Sequence, residues 1–117
     1  MCGNILAVRE GERDGVVCFC SHMDRVPGGI GIKPVEEDGI LRSSGDTILA
    51  ADDLSGVAAI LEGVRQAIES GKALPKLEIL FTVGEEAGLY GAKAFDVSLL
   101  TSKTMYVLDP RDASAEL

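Results

Sequence analysis

Several residues that can bind metals or transfer protons stand at the ends of strand-like segments or at the start of a helix-like segment. They are His22, Asp24, Asp52, Glu85, Glu86 and Asp109. In open α/β sheets, ligands bind at the carboxyl ends of the strands, so we expect these side chains to converge at one edge of the sheet. An imidazole among carboxylates suits zinc, cobalt or manganese, and the like charges are costly unless cations compensate them. The pattern therefore predicts a metal site.

Each part of this pattern also has an ordinary explanation. A histidine two residues before an aspartate can be a surface pair, and the pair Asp52-Asp53 can be a simple helix N-cap. Glu85 and Glu86 can form a solvated turn, and Asp109 before a proline can initiate a turn. We favour the metal site because all of these segments end at the same predicted edge of the sheet.

Two features of the carboxylates suggest hydrolytic chemistry. One carboxylate can bridge two cations about 3.5 to 4 Å apart, which is the arrangement of two-metal hydrolases. Of the two adjacent glutamates, one can bind metal while its neighbour accepts a proton from water.

The elements that must position these residues alternate between strands and helices. Apolar runs predict strands at NILAVRE, VVCFCS, LEILFTV and TMYVLD, and Asp38-Gly39 predicts a hairpin turn. A short helix is expected after GEEAG. This order predicts an α/β fold with a largely parallel sheet. The clearest helix has an apolar face composed of Val57, Ile60, Leu61, Val64 and Ile68.

Length, charge and cysteine content restrict the class of protein. The 117 residues correspond to one ordinary domain. The net charge of −8, without a Lys/Arg cluster, makes nucleic acid and anionic membranes poor partners. No apolar run approaches the roughly 18 residues needed to cross a bilayer, and the N-terminus lacks a signal-peptide pattern. Three cysteines without framework spacing indicate reduced thiols, so we expect a cytoplasmic protein.

Four motifs follow one another along the chain: SHMD, ILAADDLSG, FTVGEEAGLYGAK and YVLD. In this order and spacing they resemble the dinuclear-metal peptidase family that includes glutamate carboxypeptidase, aminoacylase and peptidase T. The likeness is greatest to peptidase T-like tripeptide aminopeptidases, and it extends from Gly3 to about Asp109. It implies a three-layer zinc-peptidase-like sheet with flanking helices. It also implies two divalent metal ions, preferably zinc with cobalt or manganese as alternatives, and short peptides as substrates.

The resemblance implies roles for His22, Asp24 and Asp52. His22 binds one metal, and Asp24 behind it orients the imidazole. Asp52 bridges both metals, and the peptide bond from Asp52 to Asp53 is cis.

The resemblance also implies roles for Glu85, Glu86 and Asp109. Glu86 binds one metal, and Asp109 binds the metal that Glu86 does not. Glu85 is the general base, which takes a proton from water as it attacks the substrate carbonyl and then delivers a proton to the leaving amine. The metals stabilise the developing oxyanion.

One departure from the family pattern is the histidine content, since His22 is the only histidine in the sequence. The family has a second metal-binding histidine far downstream, beyond a lid or dimerisation domain, and a helical segment upstream of GNILAV. We therefore interpret residues 1–117 as a partial metallopeptidase catalytic domain, an incomplete first half. We expect it to be inactive alone and prone to form homo-oligomers, because it exposes sheet edges and faces.

The sequence also fits other functions. A carboxypeptidase, dipeptidase or deacylase of the same family would share the metal residues and differ in the lid. A non-catalytic metal-binding α/β module is a second alternative, although it would not need Glu85 beside Glu86. A third is a soluble α/β domain with acidic loops and no site.

Overall fold

A computed structural model describes residues 3–109 of the chain, so Cys2 lies outside the described part. A 3-10 turn, Val97–Leu99, precedes the last strand. None of the helices within the described range is both long and apolar enough to cross a membrane. The elements are β1 (Ile5–Arg9), β2 (Val16–His22), β3 (Pro34–Glu37), β4 (Ile40–Ser43), α1 (Ala51–Glu69), β5 (Lys76–Thr82), α2 (Tyr90–Ala94) and β6 (Met105–Val107).

Four strands form one sheet in the order β1-β5-β2-β6. β2 is parallel to both of its neighbours, and its pairing with β5 runs from Val16 opposite Lys76 to His22 opposite Thr82. β1 is antiparallel to β5 and forms one edge of the sheet. The predicted α/β fold with a largely parallel sheet is confirmed.

The predicted hairpin at Asp38-Gly39 is formed by β3 and β4, which pair only with each other in the described structure. Asp38 and Gly39 have φ values of 53° and 77°. Two central residues with positive φ are typical of the two-residue hairpin turn whose twist matches that of the flanking strands. The hairpin lies between β2 and α1 in sequence and is separate from the main sheet.

The main apolar core lies between α1 and the sheet. Ile60 of α1 is buried together with Ile79 and Phe81 of β5, and Phe19 of β2 packs against them. Because side chains alternate along a strand, the odd-numbered residues of β2 and β5 face the helix, and the even-numbered residues face away from it. The helix ends where Gly71 takes a left-handed conformation with a φ of 67°.

Only part of the predicted apolar face of α1 is covered. Ile60 is buried and Val57 and Val64 pack beside it, whereas Leu61 and Ile68 are 55% and 46% exposed. One residue along an α-helix corresponds to a rotation of about 100°, so Leu61 points away from the sheet contact made by Ile60. Within residues 3–109, the contacts with the sheet therefore cover only part of the predicted apolar face.

A carboxylate lies within the opposite face of the sheet. Glu78, in the middle of β5, is completely buried. It accepts hydrogen bonds from the Thr101 amide and hydroxyl and from the Ser102 amide, and Lys76 Nζ lies 3.7 Å away. Burial raises the pKa of Glu78, but the hydrogen bonds and Lys76 outweigh it, so the pKa is lowered from its ordinary value. Glu78 thus ties the segment that precedes β6 to the sheet.

We predict that Glu78→Gln lowers the free energy of unfolding at pH 7 by about 1 to 3 kcal/mol, because an amide cannot satisfy all of the donors at Glu78. Since the folded-state pKa is lowered, ionised Glu78 stabilises the fold above its ordinary pKa of 4.5. That contribution is lost as the pH falls through the lowered pKa. Urea denaturation at neutral and acidic pH should show less acid sensitivity in Glu78→Gln than in the exposed control Glu36→Gln. Equal acid sensitivity in the two variants would contradict this account.

Candidate metal centre

His22 is the last residue of β2, and its side chain is almost completely buried. Its Nε2 lies 3.1 Å from Asp52 Oδ1 and 3.9 Å from Glu85 Oε2. Its Nδ1 lies 3.1 Å from the Asp24 carbonyl oxygen. Residues from three separate segments therefore surround one imidazole: the segment after β2, the start of α1 and the segment after β5.

The charges around His22 control its protonation. Burial lowers the pKa of His22, but the hydrogen bond with Asp52 and the negative charges of Glu85 and Asp24 outweigh burial, so the pKa is raised. The metal-free chain consequently favours a protonated imidazole more than an exposed histidine does. A cation bound at Nε2 has to displace that proton, and its affinity should fall as the pH is lowered.

Asp24 joins the ends of β2 and β5. Its Oδ1 accepts a hydrogen bond of 3.1 Å from the Glu85 amide, and its Oδ2 accepts one of 3.2 Å from the Glu86 amide. Oδ1 also lies 3.6 Å from His22 Nδ1. Burial raises the pKa of Asp24, but the backbone hydrogen bonds outweigh it, so the pKa is lowered and the carboxylate is ionised at neutral pH.

Glu85 has the opposite electrostatic environment. Burial raises its pKa, the nearby imidazole of His22 lowers it, and the like charges of Asp109, Glu86 and Asp24 raise it further. The result is a raised pKa. A carboxylate whose pKa moves toward neutrality is a better proton acceptor and donor than an ordinary glutamate.

The peptide bond between Asp52 and Asp53 is cis, as the resemblance implied. Asp53 is completely buried, and its Oδ2 accepts a hydrogen bond from the Ser21 hydroxyl. Its Oδ1 accepts a hydrogen bond of 3.2 Å from the Gly56 amide, so Asp53 caps the regular part of α1. Asp52, in contrast, has a half-exposed side chain whose contact is with His22.

The structure brings the candidate ligands into two groups that share His22. In the first group, donor atoms of His22, Asp52 and Glu86 lie within 4.8 Å of one another. In the second group, the same holds for His22, Asp53 and Asp109. One nitrogen and several carboxylate oxygens form a donor set that fits zinc or a similar divalent ion.

Sequence reasoning did not place Asp53 in this site, because an aspartate at a helix start has a capping role that accounts for it. Asp53 does have that role. Its partner Ser21 lies 32 residues earlier in the chain, so no local pattern could indicate the contact. Asp24 and Glu85, predicted to act beside the metal ligands, lie next to His22 without belonging to either group.

Comparison with known proteins identifies the family of the chain. The sequence model of peptidase family M28 matches residues 4–110. The chain belongs to this peptidase family. The metal-type residues of the site all fall within the matched range. The predicted resemblance to a metal-dependent peptidase family is thereby confirmed.

The individual relatives of the chain are longer proteins. The chain is 43% identical over 108 residues to the uncharacterized protein YqjE of Bacillus subtilis strain 168, covering 92% of this chain and 29% of YqjE. It is 36% identical over 72 residues to peptidase T of Salmonella enteritidis PT4, covering 60% of this chain and 17% of that protein. The chain thus spans less than a third of the length of these relatives.

Solved structures show the same fold. The crystal structure of aminopeptidase PepT from Bacillus cereus matches with a TM-score of 0.88 and 44% identity, covering 92% of this chain and 30% of that one. A tripeptidase from Staphylococcus aureus matches with a TM-score of 0.86 and 36% identity, covering 92% and 29%. Aminoacylhistidine dipeptidase from Vibrio alginolyticus, at 24% identity and a TM-score of 0.73, shares the fold.

Gly56 of α1 lies close to the residue that follows the end of β6. A Cβ atom at Gly56 would lie under 3.0 Å from the Leu108 carbonyl oxygen and from both carboxylate oxygens of Asp53. We predict that Gly56→Ala lowers the free energy of unfolding by about 1 to 3 kcal/mol, because backbone must move to admit the methyl group.

The matched control for this prediction is Gly63→Ala, in the same helix. A Cβ atom at Gly63 meets nothing within 4 Å, so the substitution should stabilise the helix by about 0.5 to 1 kcal/mol. Thermal and urea denaturation of both variants measure the difference. If the two substitutions change the free energy of unfolding similarly, the close contact of Gly56 with Leu108 and Asp53 does not constrain the fold.

Proposed function

We propose that this chain is part of a catalytic domain that hydrolyses peptide bonds in short peptides with the help of divalent metal ions. The observation that carries the proposal is the convergence of two potential ligand groups on His22, with Glu85 beside them. Two ions, preferably zinc, are consistent with these groups. The names of the related PepT aminopeptidase and tripeptidase favour short peptides, and tripeptides in particular, as substrates.

Asp52 is the best candidate for a carboxylate that bridges two ions. The oxygens of Asp53 already accept hydrogen bonds from Ser21 and Gly56, whereas the half-exposed carboxylate of Asp52 has one oxygen next to His22 Nε2. Glu86 would complete one site and Asp109 the other. Asp24 would hold His22 from its Nδ1 side, which leaves Nε2 directed toward the ions.

Bound divalent ions would polarise the substrate carbonyl and make water a better nucleophile. The residues of the chain supply the proton transfers. Glu85, whose pKa is raised by burial and by neighbouring carboxylates, accepts a proton from the attacking water. The same carboxyl group then donates a proton to the departing amine. The Asp24 carboxylate fixes the Glu85 and Glu86 amides, so both glutamates keep their places during this transfer.

Location and partners are part of the same proposal. Cys18 and Cys20 are buried free thiols, which agrees with a reducing compartment such as the cytoplasm. The acidic sequence, with a net charge of −8, favours small peptide substrates over nucleic acid as partners.

Zinc titration of the 117-residue chain tests the metal centre. Because the two ligand groups share His22, we expect about one zinc ion per chain, with binding lost in His22→Ala. The control is Asp14→Asn, since Asp14 is exposed in the turn before β2, at the end of that strand opposite His22. Calorimetry should give equal zinc affinities for the original chain and this control. Binding that persists in His22→Ala, or no saturable binding in the original chain, would exclude the centre.

The role of Glu85 requires a complete enzyme. Residues 4–109 can be exchanged for the corresponding segment of the Bacillus cereus PepT aminopeptidase, whose structure the chain matches with a TM-score of 0.88 over 92% of its length. In an active chimera, Glu85→Gln should lower kcat for tripeptides by about 100- to 10,000-fold, the usual contribution of a general acid–base group, while zinc stays bound. Glu36→Gln, on the exposed hairpin, is the control. Full activity of the Glu85→Gln chimera would assign proton transfer to another residue.

A further inference from the structure

Backbone hydrogen bonds join the two ends of the loop that carries Glu85 and Glu86. Between β5 and α2, the Gly91 amide donates a hydrogen bond of 2.8 Å to the Val83 carbonyl oxygen. Beside it, the Tyr90 amide donates one of 2.9 Å to the Gly84 carbonyl oxygen. The two ends of the loop therefore lie side by side, and any group that fixes both ends also fixes the glutamates between them.

The side chain of Asn4 contacts both ends of this loop. Its Nδ2 donates a hydrogen bond of 2.8 Å to the Gly91 carbonyl oxygen. Its Oδ1 accepts one of 3.2 Å from the Val83 amide. The fit is close, because a Cβ atom at Gly91 would lie under 3.0 Å from Asn4 Oδ1 and from the Val83 backbone. A primary amide is the group that offers one donor and one acceptor in this arrangement.

The position of Asn4 follows from the pairing of β1. β1 runs antiparallel to β5 with Ile5 opposite Phe81, so the residue before β1 lies beside the end of β5 where the loop begins. None of the five residues of β1 is buried, and Ile5 and Val8 are about half exposed. The strand thus adds little to the core, whereas it delivers one side chain to the loop next to the candidate metal centre.

We propose that Asn4 is a positioning residue for Glu85 and Glu86. The Asn4 side chain holds the two ends of their loop together from the β1 side. Asp24 holds the two glutamate amides from the β2 side. The part of this inference that concerns zinc and catalysis rests on the proposed function. The part that concerns the loop rests on these contacts alone.

Amide hydrogen exchange, followed by NMR in the metal-free chain, tests the effect on the loop. In Asn4→Ala, which removes both hydrogen bonds, the Glu85, Glu86 and Gly91 amides should exchange about ten- to thirtyfold faster. Exchange in the centre of β2 and β5 should be unchanged. Asn4→Asp has the same shape but cannot donate to the Gly91 carbonyl oxygen when ionised, so faster exchange is expected there as well. Val8→Ala is the control for a general weakening of β1.

Zinc affinity provides a second measurement on the same variants. It should fall about tenfold in Asn4→Ala and Asn4→Asp and stay unchanged in Val8→Ala, because only the Asn4 variants release Glu86. Unchanged loop exchange in the Asn4 variants, or equally fast exchange in Val8→Ala, would overturn the proposal. The proposal would also be overturned if both Asn4 variants were unfolded while Val8→Ala remained folded. Asn4 would then be required for the fold itself. If the original chain binds no zinc, the proposed function fails while the exchange experiment still decides the role of Asn4.

Discussion

The parallel pairing of β2 with β5 is the constraint on which the rest of the structure depends. Its register sets His22 opposite Thr82, so the segments that leave these two strands begin at the same edge of the sheet. Asp24 can then reach the Glu85 and Glu86 amides within two residues of the end of β2. A shift of one residue would turn every side chain of β2 to the other face and separate the histidine from the glutamates.

The acidic cluster at this edge is tolerated because its members have different surroundings. Asp24 accepts hydrogen bonds from two backbone amides, which stabilise its ionised form. Asp53 accepts hydrogen bonds from the Ser21 hydroxyl and the Gly56 amide. Asp52 is half exposed to solvent, and burial together with neighbouring negative charges raises the pKa of Glu85. The carboxylates with structural partners hold the backbone in place, and those with fewer partners are left available for cations and protons.

The sequence was sufficient for the features that depend on local pattern. Apolar runs located the four strands of the sheet, the Asp38-Gly39 turn located the hairpin, and the strand ends located the candidate site. Other features depend on contacts between distant residues, which one sequence does not contain. The hydrogen bond from Ser21 to Asp53 and the incomplete covering of α1 at Leu61 are examples. The position of β1 is another, since it neighbours β5 rather than β2, the next strand along the chain.

The edge position of β1 also has a consequence for the order of folding. Asn4 is separated from Val83 by 79 residues, so β1 has no partner strand until most of the described chain is in place. Contacts of this sequence separation form late and slow the search for the native state. During synthesis, β1 would therefore leave the ribosome long before its partner strand β5, and the loop that β1 closes would remain open until β5 has followed.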